Sequence, residues 1–154
     1  MGYSKITEQL FIGTTPVPDE YDGLRRLGVR LVINMRFTRG PYPDPHEPAL
    51  EFLWLRTFDS VFLPIPMGAL VRGARAALRT IESGGKVYTH CAAGRHRAVA
   101  MGAAILIAQG YTPQAAMQLI RARRAIADPE IFYIRRRILT FAREWQKQKD
   151  IGSF

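Results

Sequence analysis

Apolar side chains recur along this chain in short runs separated by amphipathic stretches. The first run predicts a strand over Ile6–Ile12 that ends at Gly13, followed by an extended loop set by Pro16 and Pro18. Asp19 is then placed to cap a short helix with Tyr21, Leu24 and Leu27 on one side and Gly28 as its stop. Val29–Met35, almost wholly apolar, reads as a buried strand. Beyond it, Pro41, Pro43, Pro45 and Pro48 crowd into residues 38–49 and exclude both a helix and a central strand, so this stretch is a loop. A domain boundary there would leave an N-terminal piece too small for a core, which makes the loop an excursion within one domain.

The second half alternates in the same way. Glu51–Thr57 predicts a strand, and Phe58–Pro66, with Asp59, Pro64 and Pro66, predicts a loop. Met67, Leu70, Val71, Ala74, Leu78 and Ile81 then share one helical face while Arg72, Arg75 and Arg79 take another, up to Gly84-Gly85. Lys86–His90 is a short β-prone run. Ala98–Ala108 is apolar all round, as a helix buried between a sheet and other helices must be, with Gly110 as its stop. Thr112 as N-cap and Pro113 at the first helical position open a helix that carries Ala116, Leu119 and Ile120 as far as Arg124. Asp128-Pro129 reads as the same device before a last helix striped by Ile131, Ile134, Ile138, Phe141 and Trp145. Strands separated by helices predict a single α/β domain over residues 1–154, with a central, largely parallel sheet flanked by helices and a helical C-terminal part. In such sheets ligands bind beyond the carboxyl ends of the strands, so the loops after Met35, Thr57 and His90 should converge.

A chain of 154 residues with 47% hydrophobic and 23% charged residues has the balance of a folded globular domain. The longest apolar run, Ala98–Ala108, is too short to cross a bilayer, and the first residues lack a continuous apolar stretch for export. Ile6 also stands where a myristoylation signal needs Ser or Thr; a cytoplasmic location is the expectation. The one cysteine, Cys91, excludes an intramolecular disulfide and a multi-cysteine metal site. Net charge is +9, from 18 arginines and 4 lysines against 13 acidic residues. Guanidinium forks suit phosphate and carboxylate, which points to phosphorylated or polyanionic partners. The cluster Arg121, Arg123, Arg124, Arg135, Arg136 and Arg137 lacks interleaved aromatic residues, and its last three members point to successive helix faces; nucleic-acid binding ranks last among the readings.

The chemistry concentrates in Val87-Tyr88-Thr89-His90-Cys91-Ala92-Ala93-Gly94-Arg95-His96-Arg97. A cysteine ends a strand, a glycine lets the chain curl once, and an arginine begins a helix. The backbone N–H groups of Ala92, Ala93, Gly94, Arg95, His96 and Arg97 can then point inward and meet the positive end of the helix, which makes a phosphate trap. Those amides and Arg97 favour the Cys91 thiolate over the thiol. Arg97 can grip two phosphoryl oxygens in a bidentate contact, and the loop needs neither metal nor other cofactor.

His-Cys-x-x-Gly-x-x-Arg between a strand and a helix resembles the signature of the cysteine-based protein tyrosine and dual-specificity phosphatases. Four fixed residues at this spacing arise by chance in about one of several thousand chains of this length. The resemblance extends to Ile6–Gly13 and Gly28–Arg36, which look like the opening and second strand of small atypical dual-specificity phosphatases. Gly94-Arg95-His96-Arg97 is similar to the Gly-Lys-His-Arg loop of the plant and fungal atypical branch, some of whose members act on inositol pyrophosphates. The resemblance implies a phosphomonoester hydrolase working through a phosphocysteine intermediate, with Cys91 as nucleophile and Arg97 as phosphate clamp. It also implies a general acid on a loop roughly thirty residues before the cysteine. Asp59 stands 32 positions before Cys91, at the end of a predicted strand. Asp44, His46 and Glu47, on the proline-rich loop, are its rivals. His90 either tunes the thiolate and its loop or is a core histidine. Arg36, at a strand end, either lines the pocket or pairs with a carboxylate.

Ala98 departs from the family pattern, in which Ser or Thr follows the arginine and helps the thiolate leave. Its presence keeps open a catalytically weak phosphate-binding module beside the enzyme. The implied substrate is a phosphoprotein, with inositol phosphates or phosphoinositides as the alternative because Arg95 and His96 add positive charge at the pocket. Oligomeric state does not follow from the sequence.

Overall fold

A computed structural model describes residues 2–152. Its sheet has five strands: β1 (Tyr3–Lys5), β2 (Leu10–Thr14), β3 (Val29–Arg36), β4 (Glu51–Thr57) and β5 (Lys86–Cys91), in the order β1-β2-β5-β3-β4. All neighbours run parallel except β1, which pairs antiparallel with β2. The helices are α1 (Tyr21–Leu27), α2 (Met67–Glu82), α3 (Arg97–Ala108), α4 (Pro113–Arg123) and α5 (Phe132–Asp150).

The expected strand over Ile6–Ile12 is instead a hairpin. Thr7, Glu8 and Gln9 are consecutive polar residues that a central strand cannot bury. They form the turn, with the N–H groups of Ile6 and Thr7 donating to the Leu10 carbonyl and the Thr7 hydroxyl accepting from Gln9 N–H. Two caps also differ from expectation. Pro18 starts a 3₁₀ turn over Pro18–Glu20, so Asp19 lies inside the turn and caps nothing; Glu20 takes the Val17 N–H at 3.0 Å. The last helix begins at Phe132 after Ile131, because Asp128 is drawn away: its N–H donates to the Arg95 carbonyl at 3.0 Å. The Thr112 cap forms as expected, accepting from Ala115 N–H at 3.1 Å, and Gly28 closes α1 at φ 94°.

Helices cover both faces of the sheet. On one face α3, buried along almost its whole length, lies among α2, α4, α5 and the strands, which explains its all-apolar sequence. Leu70 and Ala74 of α2, Ile120 of α4, and Ile138 and Phe141 of α5 close that core. A smaller cluster of Phe11, Tyr21, Leu24, Val32, Leu50 and Tyr88 fills the other face, beneath α1 and the proline-rich loop. No described helix is long and apolar enough to cross a membrane. The parallel strands β2, β3, β4 and β5 deliver residues 15–17, 37–50, 58–66 and 92–96 to one rim.

Candidate active site

Cys91 ends β5 with its side chain buried, and α3 starts six residues later at Arg97. Between them the chain makes a loop in which Gly94 has φ +65°. A Cβ there would lie 2.7 Å from the Gly13 carbonyl oxygen and 2.8 Å from an Arg124 nitrogen, so the position demands glycine on both conformational and steric grounds. The Ala98 N–H donates to the Cys91 sulfur at 3.5 Å, aiming the first turn of α3 at the thiol.

Arg124, just past α4, holds the loop from outside. Its Nε donates to the Gly94 carbonyl at 2.7 Å, its Nη2 to the Ala93 carbonyl at 3.0 Å, and its Nη1 to the Ser4 hydroxyl at 3.1 Å. In a trans peptide the N–H points opposite to the C=O. Carbonyls of Ala93 and Gly94 turned out toward Arg124 therefore leave the N–H groups of Gly94 and Arg95 facing into the loop.

Arg97 is fixed by strand ends. Its Nη1 donates to the carbonyls of Thr57 (2.8 Å) and Met35 (3.2 Å), while its buried Nε has no protein partner among the described residues. That orphaned donor matches an anion seated in the loop. Among the described residues Arg36 neither pairs with a carboxylate nor joins the loop directly. Its Nη1 donates to the Thr15 hydroxyl at 3.0 Å, which in turn donates to the Cys91 carbonyl at 3.3 Å. His90 is buried, and burial pushes its imidazole down to about 4, so the ring is neutral near pH 7. The side chain of Arg95 points out of the loop, 4.0 Å from Asp128.

Asp59 stands just past β4 and meets the loop through His96. Its Oδ2 is 2.8 Å from His96 Nδ1, and its Oδ1 accepts from the Tyr133 hydroxyl at 2.6 Å. Burial acts to raise the Asp59 carboxyl, but the hydrogen bonds from Tyr133 and His96, with the Arg97 charge nearby, outweigh it and hold the group below the ordinary carboxylate value. Phe58 stacks on Phe37 at 4.2 Å, and Arg56 lies over the rings of Phe37 and Trp54, joining the two rim loops beside Asp59. The rivals turn elsewhere. Asp44 is bound by Arg25 of α1 and by Leu50 N–H, His46 faces Asp22, and Glu47 accepts from Ala49 N–H.

Four contributors escape a reading of the sequence: Thr15, Arg124, Asp128 and Tyr133. Arg124 sits in a run of arginines, and nothing local distinguishes it from its solvated neighbours. Tyr133 directly precedes the core position Ile134, a place that any amphipathic helix fills without a functional reason.

No family profile matches the chain. It is 32% identical over 134 residues to a rat phosphatidylglycerophosphatase and protein-tyrosine phosphatase 1, covering 80% of this chain and 67% of that protein. It is also 26% identical over 155 residues to the Arabidopsis thaliana phosphatidylglycerophosphate phosphatase PTPMT1, covering 94% of this chain but only 40% of the plant protein. The crystal structure of human DUSP28 superposes with a TM-score of 0.81 at 22% identity, covering 95% of this chain and 96% of that one. The shared fold agrees with what the 32% identity over two thirds of the rat protein shows: the chain belongs to the atypical dual-specificity family of cysteine-based phosphatases.

Proposed function

We propose that this protein hydrolyses phosphate monoesters through a phosphocysteine intermediate. The observation that supports the reading best is the pairing of Cys91, at the base of a loop whose amides face inward, with Arg97, whose buried Nε awaits an acceptor. The Cys91 thiolate attacks phosphorus in line, forming the S–P bond while the P–O bond to the leaving group breaks and Asp59 protonates the departing oxygen. Water then gives a proton to Asp59 and attacks phosphorus, and Cys91 leaves as thiolate. Arg97 and the loop amides carry the charge of the equatorial oxygens in both steps, the role metal ions play in other phosphoryl transfers. His90 supports the loop as a neutral, buried ring.

The default substrate is a phosphorylated protein side chain. One observation favours a second reading, amphiphilic substrates such as phosphoinositides: Val61, Phe62 and Leu63 are all exposed on the loop that carries Asp59. Turnover of p-nitrophenyl phosphate, inhibited by vanadate and insensitive to chelators, is the expected activity, and phosphopeptides compared with inositol phospholipids separate the substrates. Cys91→Ser should abolish turnover yet still bind vanadate. Activity that survives in that variant removes the nucleophile from the mechanism.

A further inference from the structure

The His96 side chain takes no part in the two steps above, yet its ring meets three other side chains beside the loop. Nδ1 lies 2.8 Å from Asp59 Oδ2 and 3.3 Å from the Tyr133 hydroxyl, and Nε2 faces Asp128 Oδ2 at 3.9 Å. The Tyr133 phenol is pushed up to about 12, by burial first and then by its bond to Asp59, so it remains a donor. Both Asp59 oxygens thus sit opposite donors, an arrangement that suits a carboxylate. A general acid, however, must hold a proton when the leaving oxygen departs. The Tyr133 hydroxyl, at 2.6 Å, keeps its proton, so the source left along a formed hydrogen bond is His96 Nδ1 at 2.8 Å.

We propose that His96 is a positioning residue that stores the proton Asp59 delivers. The inference rests on the phosphatase reading. In the first step the Nδ1 proton passes to the Asp59 carboxylate and on from Asp59 to the leaving oxygen, while S–P forms and P–O breaks, which leaves Asp59 a carboxylate. In the second step water loses a proton to Asp59, which returns it to Nδ1, while P–S breaks and the new P–O bond forms. His96 ends each cycle as it began, and no outside acid or base is consumed. The groups that face this relay are Asp59 after β4, Tyr133 on α5, Asp128 before α5 with Arg95 beside it, and Arg97, whose charge acts on Asp59. Because His96 belongs to the phosphate-binding loop itself, the acid loop is latched to the same segment that grips the substrate.

The test compares an alkyl phosphate, whose leaving oxygen needs a proton, with p-nitrophenyl phosphate, whose leaving oxygen needs it less. His96→Asn keeps an N–H donor for Asp59 but cannot release a proton. The ratio of kcat on the alkyl substrate to kcat on the aryl one should fall about 10-fold or more, and the basic limb of the alkyl pH profile should move to lower pH. His96→Ala should lose no more of that ratio than His96→Asn does. If His96→Asn keeps both the wild-type ratio and the wild-type limb, a hydrogen bond alone suffices and the relay is overturned. In the wild type, ¹⁵N spectra of the His96 ring at the pH of maximal alkyl turnover should show both nitrogens protonated, and a ring with a bare Nδ1 overturns the proposal even if no variant folds. Turnover surviving in Cys91→Ser is a different failure, that of the phosphatase reading.

Discussion

The loop after β3, residues 37–50, and the loop after β4, residues 58–66, leave neighbouring parallel strands at the same end of the sheet, and each carries an aspartate. Asp44 has a side chain only 1% exposed, and it accepts from the backbone N–H of Leu50 and His46 and from Arg25 on α1. Asp59 is 35% exposed and, among the described residues, is held by side chains, His96 from the loop after β5 and Tyr133 from α5. A carboxylate satisfied by its own loop's backbone and a fixed guanidinium acts as a structural pin. One held by groups at a pocket can change partners when a substrate arrives. Proximity to the rim is therefore a weak guide to chemistry, and the kind of donor that satisfies the carboxylate is a better one.

The sharpest way to break this contrast is to neutralise each aspartate in turn. Asp59→Asn should lower turnover of an alkyl or seryl phosphate by about 10²-fold or more, and lower that of an activated aryl phosphate less. Asp44→Asn should leave both rates near wild type. Equal losses in the two variants, measured as kcat per folded molecule, would erase the distinction.

Next in size is the loop's own geometry. Gly94→Ala places a Cβ against the Gly13 carbonyl at a positive φ, which costs roughly 1–2 kcal/mol in conformation alone. Turnover should fall about 10-fold with weaker vanadate binding, whereas glycine replaced at Gly68, where a Cβ meets nothing within 4 Å, should change neither.

A smaller effect concerns the stability that Asp44 supplies as a pin. Burial acts to raise the Asp44 carboxyl, but the bonds from Leu50, His46 and Arg25 outweigh it and hold it below its ordinary value. A folded-state value below the unfolded one of about 3.9 means that this stabilisation is complete above that pH and is lost as pH falls through the folded-state value. Asp44→Asn should lower Tm at pH 7 by about 2–4 °C, a typical scale for a chain of this length. The gap between variant and wild type should close in strong acid, and a gap that widens there would contradict the assignment.

The smallest expected change concerns which step limits turnover. Ala98 offers the Cys91 sulfur a backbone N–H but no hydroxyl, so breakdown of the phosphocysteine should limit turnover and rapid mixing should show a burst of about one nitrophenolate per enzyme. Ala98→Ser should shrink that burst and raise the steady rate several-fold, up to the order of 10-fold for one added donor. No burst in the wild type and no gain in the variant would mean that the Ala98 N–H already supports the leaving thiolate.

Most of the element pattern was legible because it follows from local rules. Apolar periodicity marked α2, α3 and the stripe of α5, while proline and glycine marked the loop of residues 38–49 and the end of α1. The misreadings fell where a distant partner overrode a local signal: Asp128 looks like a helix cap but bonds back to Arg95. The stretch Ile6–Ile12 looks like one strand because its apolar ends conceal a turn.

By itself the sequence brought Cys91, Gly94 and Arg97 into one turn between a strand and a helix, because those residues lie within seven positions and the turn depends on backbone geometry that local sequence controls. It also narrowed the acid to four candidates on two loops. Only the tertiary structure separates their surroundings, placing Asp59 against His96 and Tyr133 while Arg25 holds Asp44. It alone disclosed Arg124 as the strut that turns the loop carbonyls outward, 30 residues away from Gly94. Such contacts join segments far apart in the chain. Their choice rests on how strands and helices pack together, and no short window of sequence records that.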